Sequence, residues 1–152
     1  MNDLFELGLR IAAASIAGGI VGVNRDLYGK PSGVRVHALV SLGAALVTMS
    51  GMQLGLGESN ADAVSGVIQG IVGGIGFLGA GVILRGDGGL HVYHVATAAS
   101  IWVTAAIGIA CGLGAWRMAA LAVIAVVSIL VVGSKIDRAL RGLLGPEGNE
   151  ET

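Results

Sequence analysis

The sequence predicts an all-α membrane protein, a bundle of five transmembrane helices with glycine-rich packing. The 152-residue chain is 54% hydrophobic and 12% charged, whereas soluble domains average roughly 25% charged residues. Its apolar residues form five stretches that approach the roughly 20 residues needed to cross a bilayer. The run 69–84 is uncharged and rich in glycine. Such a run forms a poor helix in water but allows close helix contact in lipid.

Short loops connect the five expected spans, which cover about residues 4–23, 37–56, 64–84, 94–113 and 115–133. The first span is interpreted as a retained helix, because Asp3 and Glu6 stand where a signal peptide carries basic residues. We therefore expect one transmembrane domain over 1–133. Residues 134–152 are expected to form a short cytoplasmic tail, with no soluble C-terminal domain.

Basic residues predict the orientation, because lysine and arginine gather on the cytoplasmic side. Seven of the nine fall in the first loop, the third loop and the tail: Arg25, Lys30, Arg35, Arg85, Lys135, Arg138 and Arg141. These segments share one side of a five-span protein. The N-terminus is therefore expected outside and the C-terminus in the cytoplasm. A net charge of −1 offers no basic footprint for nucleic acid.

Glycines repeat every four residues in three spans, a spacing that lets two helix backbones touch. The first and fourth spans carry Gly18 with Gly22 and Gly108 with Gly112. The third span carries the longest set, expected to pack against a helix: Gly66, Gly70, Gly74, Gly76, Phe77, Gly79 and Gly81. Three interpretations stay open for this third span: tight packing within the chain, a homodimer seam, or the lining of a pore.

Gln69 is the strongest polar candidate inside a span. An amide in hydrocarbon is costly without a partner. Gln69 is therefore expected either to bond to a neighbouring helix or to serve a ligand or an ion path. Trp102 is expected to pack against a neighbouring helix in mid-span. Four hydroxyls are expected to bond back to their own helices: those of Ser65, Thr97, Ser100 and Thr104.

The first loop concentrates charge around a turn at Pro31 and Gly33. Four basic side chains are expected to converge there beside the carboxylate of Asp26: Arg25, Lys30, Arg35 and His37. One interpretation is anchoring to anionic lipid. The other is an anion or partner site in which Asp26 fixes one arginine by a bidentate pair. His37 and His94 are expected to be solvated at this face, with pH sensing as the alternative.

The sequence carries no motif for catalysis. It has no zinc-spaced His-Glu pair, no phosphate-binding loop and no nucleophile elbow. Magnesium prefers hard oxygen ligands, and Glu6 is the only carboxylate within a predicted span. We therefore expect no enzyme, no cofactor and no metal site. Cys111, the single cysteine, excludes an intrachain disulfide and is interpreted as a packing residue.

Three blocks of the sequence resemble the MgtC/SapB family of bacterial inner-membrane proteins. The first is Gly22-x-x-Arg25 followed by Lys30-Pro31-x-Gly33-x-Arg35-x-His37-Ala38-Leu39-Val40-x-Leu42-Gly43-Ala44. The second is Gln69-Gly70-Ile71 leading into Gly74-Ile75-Gly76-Phe77-Leu78-Gly79-Ala80-Gly81. The third is Thr97-Ala98-Ala99-x-x-Trp102, with Ala105-Ala106-Ile107-Gly108 and Gly112-x-Gly114. The resemblance adds Thr97 and Trp102 to the functional candidates.

The resemblance implies five spans, a cytoplasmic C-terminus and a place in the bacterial inner membrane. It also implies a role in growth at low magnesium, survival in macrophages and virulence, with an F-type ATP synthase or a transporter as possible partners. Asn24 departs from the family's usual glutamate. His94 and Ala96 replace the usual glycine and Thr or Asn.

The function expected from the sequence is that of a non-enzymatic protein working through helix contacts. Its partners would be the lipid bilayer, a second copy, with a dimer favoured, or another membrane protein. The alternative is a small ion or solute transporter or channel. In that case Gln69, Asp26 and the basic residues of the first loop lie along the path.

Overall fold

The computed structural model, which describes residues 2–54, 60–83 and 95–144, contains five α-helices. They are α1 (Asn2–Leu27), α2 (Val34–Leu54), α3 (Asn60–Ile83), α4 (Val95–Gly112) and α5 (Trp116–Leu144). All five are long and apolar enough to cross a membrane. The predicted five-helix, all-α fold is therefore confirmed. The largest difference is at α5, which continues through 134–144, a stretch that the sequence assigned to the tail.

α4 is the central helix and the most buried. It contacts all four of the others, and these surround it in the order α5, α1, α2, α3. Within the described residues, α3 and α5 do not touch each other. One side of α4 is therefore uncovered. Trp102 lies on this side and is 44% exposed, and its packing against a neighbouring helix stays a prediction.

α1 and α2 pack closely because α1 presents glycine at their crossing. A Cβ built on Gly18 would overlap the backbone carbonyl of His37. One built on Gly22 would lie 2.5 Å from the Cα of Val34. Real Cβ atoms do not approach backbone so closely, and the predicted Gly-x-x-x-Gly contact of α1 is confirmed.

The opposite side of α2 meets α4 in the same way. A Cβ on Gly108 would overlap the carbonyl oxygen of Ser41, and one on Gly112 would lie 2.8 Å from the carbonyl oxygen of Ala45. α2 is therefore held between two glycine-bearing helices, and its backbone touches both. Backbone contact of this kind allows van der Waals packing and weak Cα–H···O bonds.

The glycines of α3 behave differently. Among the described residues, nothing lies within 4 Å of a Cβ built on Gly66, Gly70, Gly73, Gly74, Gly76 or Gly81. Gly79 meets only the Cβ of Ala98, at 3.6 Å, and Phe77 is 83% exposed. The interpretation of tight packing within the chain is therefore wrong for this face. α3 instead packs against Ala44 of α2 and the middle of α4 through its isoleucines: Ile68, Ile71 and Ile75.

α1 and α4 both end in a Schellman turn around a glycine with positive φ. After α1, the N–H of Gly29 donates to Asp26 O and that of Lys30 to Arg25 O, each at 3.0 Å. Gly29 has φ +60° and Gly114, after α4, has φ +74°. Glycine adopts this conformation without strain. The turns let α2 and α5 follow their predecessors at once.

Adjacent glycines in α1 give a matched test of the α1–α2 contact. Gly18→Ala should lower the free energy of unfolding by about 1–3 kcal/mol, because the new methyl group overpacks against α2. A Cβ on Gly19 meets nothing within 4 Å among the described residues, so Gly19→Ala should leave stability unchanged or raise it by up to about 1 kcal/mol. Thermal unfolding in detergent measures both. Equal effects of the two substitutions would contradict the close packing of Gly18.

Candidate functional site

A cluster of buried polar side chains lies where α1, α2 and α4 meet. Arg25 comes from the last turn of α1, and two residues come from the first turns of α2. The other three follow one face of α4 at i, i+3 and i+7. All six side chains are at most 4% exposed: Arg25, His37, Ser41, Thr97, Ser100 and Thr104. Below, these residues are called the polar cluster.

Arg25 links three segments of the chain. Its Nη2 donates to the hydroxyl of Thr97 in α4 and, at 3.3 Å, to the carbonyl of Pro31 in the first loop. Its Nε is buried and has no hydrogen-bond partner in the part of the chain that the structure describes. No carboxylate pairs with Arg25 among the described residues. Burying a guanidinium inside a bundle is costly unless hydrogen bonds or an opposite charge compensate. Here the compensating hydrogen bonds go to two neutral oxygens, those of Thr97 and Pro31.

His37 joins α2 to α4. Its Nδ1 lies 3.1 Å from the carbonyl oxygen of Gly33, and its Nε2 lies 3.2 Å from the hydroxyl of Ser100. The Ser100 hydroxyl lies 2.7 Å from the carbonyl of Thr97, and Thr104 donates to Ser100 O at 2.8 Å. The ring is fully buried. The expectation of a solvated His37 is therefore wrong, because close packing of α2 between α1 and α4 encloses the ring.

The predicted convergence of basic residues is found only in part. Arg25 and His37 turn into the bundle, whereas Lys30 and Arg35 are exposed. Asp26 forms no ion pair with arginine in the described part of the chain, so the expected bidentate pair is wrong.

Asp26 acts as a helix cap instead. Its Oδ2 accepts the N–H of Val34, the first residue of α2, at 3.0 Å. A Cβ at Gly33 would overlap this carboxylate, so glycine is needed beside it. A carboxylate at a helix N-terminus satisfies an unpaired N–H and interacts favourably with the helix dipole. Asp26 therefore bonds to the backbone of α2 rather than to an arginine.

Gln69 lies apart from the polar cluster. It is exposed, and its Nε2 donates to Ser65 of the same helix at 3.3 Å. Within the described chain, the expected bond to a neighbouring helix is therefore wrong. The two side chains line a groove of about 570 Å³ between α2, α3 and the end of α4. Of the other predicted candidates, Arg85 and His94 lie outside the described residues.

The sequence identified Arg25, His37 and Thr97 as candidates. It did not predict that Arg25 and His37 both bond to α4, through Thr97 and Ser100. The expected back-bonds of Ser100 and Thr104 are confirmed. Those bonds gave no reason to expect that Ser100 also faces a histidine. Ser41 was not singled out, and its hydroxyl is buried with no hydrogen-bond partner among residues 2–54, 60–83 and 95–144. Its position four residues after His37 was the available signal, because it places both on one face of α2.

Arg10 was also missed. Its Nη1 donates to the carbonyl of Gly112 at 2.6 Å, and its Nη2 pairs with Glu6. The guanidinium therefore caps the last turn of α4, where carbonyls lack helical partners and a cation is favourable. The signal in the sequence was an arginine inside an otherwise apolar run, which in a membrane span calls for a partner.

Comparison with known proteins finds one matching family model and several similar proteins. A family model described as "MgtC family" matches residues 11–139. Protein SrpB of Synechococcus elongatus is 38% identical over 125 residues, covering 77% of this chain and 69% of SrpB. Protein MgtC of Salmonella typhimurium is 39% identical over 121 residues, and Protein MgtC of Brucella abortus is 36% identical over 119.

The two MgtC matches cover 80% and 78% of this chain. The chain spans about half the length of these MgtC relatives, at 49% and 48%. No solved structure matches it. The family match covers most of the chain, and the SrpB alignment covers more than two thirds of both proteins. With five apolar helices in the structure, the chain is a multi-pass membrane protein that belongs to the MgtC family.

Proposed function

We propose that this chain is a non-enzymatic protein of the bacterial inner membrane that acts through contacts of α3 with another transmembrane helix. Through those contacts it supports adaptation to low magnesium, acid or host stress, the role that the family resemblance implies. The observation that carries the contact mechanism is the outward glycine face of α3, which bears the exposed amide of Gln69.

The glycine face suits a second helix better than it suits lipid. Gly66, Gly70 and Gly74 form a stripe that meets nothing within 4 Å among the described residues. Helices in membranes associate through such stripes, because small residues let backbones approach and gain van der Waals contact. α1 and α4 already use their glycines in this way against α2. The α3 stripe offers the same surface without an occupant in the described chain.

A second copy of the chain fits the chemistry at Gln69. Ser65, the one partner of this amide among the described residues, belongs to the same helix. An amide both donates and accepts, so two copies related by a twofold axis can satisfy each other reciprocally. Interhelical bonds of this type contribute about 0.6–2 kcal/mol in membranes. We therefore place a homodimer first and a different membrane protein, such as an ATP synthase or a transporter, second.

The proposed orientation puts the first loop and the C-terminus in the cytoplasm and the N-terminus outside. The exposed side chains of Lys30 and Arg35 in and beside the first loop support it, since cytoplasmic loops are rich in such residues. The buried Arg25 does not count toward this bias, because it serves the interior of the bundle.

Cysteine cross-linking tests the dimer directly. A disulfide forms only between Cα atoms about 4.4–6.8 Å apart, a distance that a glycine-mediated seam provides. Gly70→Cys should therefore cross-link two chains upon mild oxidation in native membranes. Leu121→Cys, at an outward position of α5, is the control and should stay monomeric. The native Cys111 is buried and can be replaced by alanine in all samples. Equal cross-linking at both positions would contradict a dimer through α3.

Blocking the stripe links the contact to the function. A Cβ at Gly70 meets nothing within 4 Å among the described residues, so Gly70→Leu should fill the α3 face while the protein folds and reaches the membrane normally. Self-association or partner capture should fall at least tenfold, and growth at low magnesium should be lost with it. Gly8→Leu is the matched control, because a Cβ at Gly8 likewise meets no described residue within 4 Å. Normal growth with Gly70→Leu would contradict the proposed mechanism.

The groove beside Gln69 favours transport as the second candidate function. It has a volume of about 570 Å³ and an amide and a hydroxyl in an otherwise apolar wall. If the chain transports, purified protein in liposomes should move an ion or solute without a partner. Gln69→Ala should then reduce that flux severalfold. Gln53→Ala, outside this groove, is the control. Absence of flux from folded protein would remove this alternative.

A further inference from the structure

We propose that His37 is a proton-binding site inside the folded bundle, and that the Ser100 hydroxyl reverses its hydrogen bond when the proton is bound. The ligand is a proton, and the site consists of the His37 ring together with the oxygens of Gly33, Ser100 and Thr97. This site lies between α1, α2 and α4 and is independent of the proposed contacts of α3.

The partner of Nδ1 fixes the tautomer of the neutral ring. Nδ1 lies 3.1 Å from the carbonyl oxygen of Gly33. A carbonyl oxygen can only accept, so Nδ1 must carry a hydrogen. The neutral imidazole has one N–H, and Nε2 is therefore bare. Nε2 then faces the hydroxyl of Ser100 as an acceptor at 3.2 Å.

The Ser100 hydroxyl can serve both protonation states of the ring. It has one hydrogen and two acceptors within reach: His37 Nε2 at 3.2 Å and the carbonyl oxygen of Thr97 at 2.7 Å. Beside a neutral ring, the hydroxyl hydrogen can turn from the Thr97 carbonyl to Nε2, which accepts it. When a proton binds Nε2, that nitrogen donates to Ser100 Oγ, and the hydroxyl hydrogen rotates to the Thr97 carbonyl. No heavy atom has to move, and every ring nitrogen stays bonded.

This arrangement differs from an ordinary buried histidine, whose second nitrogen often has no acceptor for an added proton. An unpaired buried N–H, above all a charged one, is costly. Here the acceptor is already in place. His37 sits in the first turn of α2, directly after the first loop, so the site lies near the end of the bundle that carries the loop.

The charged groups that face the ring come from α1. Burial is the largest effect and disfavours the charged ring; the hydrogen bond to Gly33 favours it, the cation of Arg25 opposes proton uptake and the carboxylate of Asp26 favours it. α4 contributes only hydroxyls and carbonyls on this side, since its described residues include no acidic or basic side chain. Lys30 of the first loop and Arg35 of α2 are exposed. The proton is therefore bound against one buried cation, with hydrogen bonds rather than a paired carboxylate as the main stabilisation.

Nitrogen-15 magnetic resonance of histidine-labelled protein in bilayers tests the site, because ¹⁵N shifts distinguish bare from protonated ring nitrogens. The chain has three histidines, and a His37→Gln sample identifies the signals of His37. We expect a single Nδ1–H tautomer at high pH. Stepwise acidification should give a doubly protonated ring while the helical circular dichroism is unchanged. A neutral ring protonated on Nε2, or protonation only upon loss of helicity, would overturn the proposal.

Ser100→Ala isolates the role of the hydroxyl. The ring then has no acceptor for the Nε2 proton, so the proton affinity of His37 should fall about tenfold, the scale of one hydrogen bond to a charged group. Ser50→Ala is the control, because the Ser50 hydroxyl is exposed and bonds only to Leu46 O at 2.9 Å. Identical titration of His37 in the Ser100 variant and the unsubstituted protein would refute the hydroxyl reversal.

Discussion

The architecture depends on the backbone contact of α2 with both α1 and α4. Four glycines make it possible, two on each neighbouring helix: Gly18, Gly22, Gly108 and Gly112. A methyl group at any of these crossings would push a helix away from α2. The hydrogen bonds between the helices would not survive such a displacement, because His37 Nε2 already lies 3.2 Å from Ser100 Oγ. The packing of small residues therefore comes first, and the buried polar cluster exists because of it.

The second organising feature is that α1 binds both ends of α4 through arginine. Arg25 reaches the first turn of α4 at Thr97, and Arg10 reaches its last turn at Gly112. The two arginines are 15 residues apart, or roughly 22 Å along a helix. The helix dipole favours Arg10 at the C-terminal end of α4 and disfavours Arg25 near its N-terminal end. The position of Arg10 at the C-terminal end of α4 is therefore electrostatically favourable, whereas Arg25 binds near the N-terminal end at an electrostatic cost.

The sequence was sufficient for the fold but not for the faces of the helices. Apolar length and glycine spacing predicted five spans, and the Gly-x-x-x-Gly pairs of α1 and α4 do form contacts. The same spacing did not predict the packing of α3 correctly. The motif indicates that another helix can approach closely, but it does not indicate which helix does so. Only the three-dimensional arrangement shows that α3 turns its isoleucines inward.

Polar residues were harder to place for a related reason. The sequence places His37 at the membrane interface because it stands at a span end beside basic residues, yet its ring is fully buried and contacts Ser100 of α4. Asp26 had three basic residues close in sequence and still bonds to a backbone N–H. Local sequence gives the inventory of donors and acceptors, whereas the crossing of three helices decides which of them meet.

The first turn of α4 connects the buried cluster to the open side of the molecule. Thr97 accepts the bond from Arg25, and the next residue, Ala98, lies 3.6 Å from the position of a Cβ on Gly79 of α3. Ser100, one turn later, faces His37. The polar cluster and α3 therefore meet different sides of the same turn of α4, although no polar contact links them in the described chain.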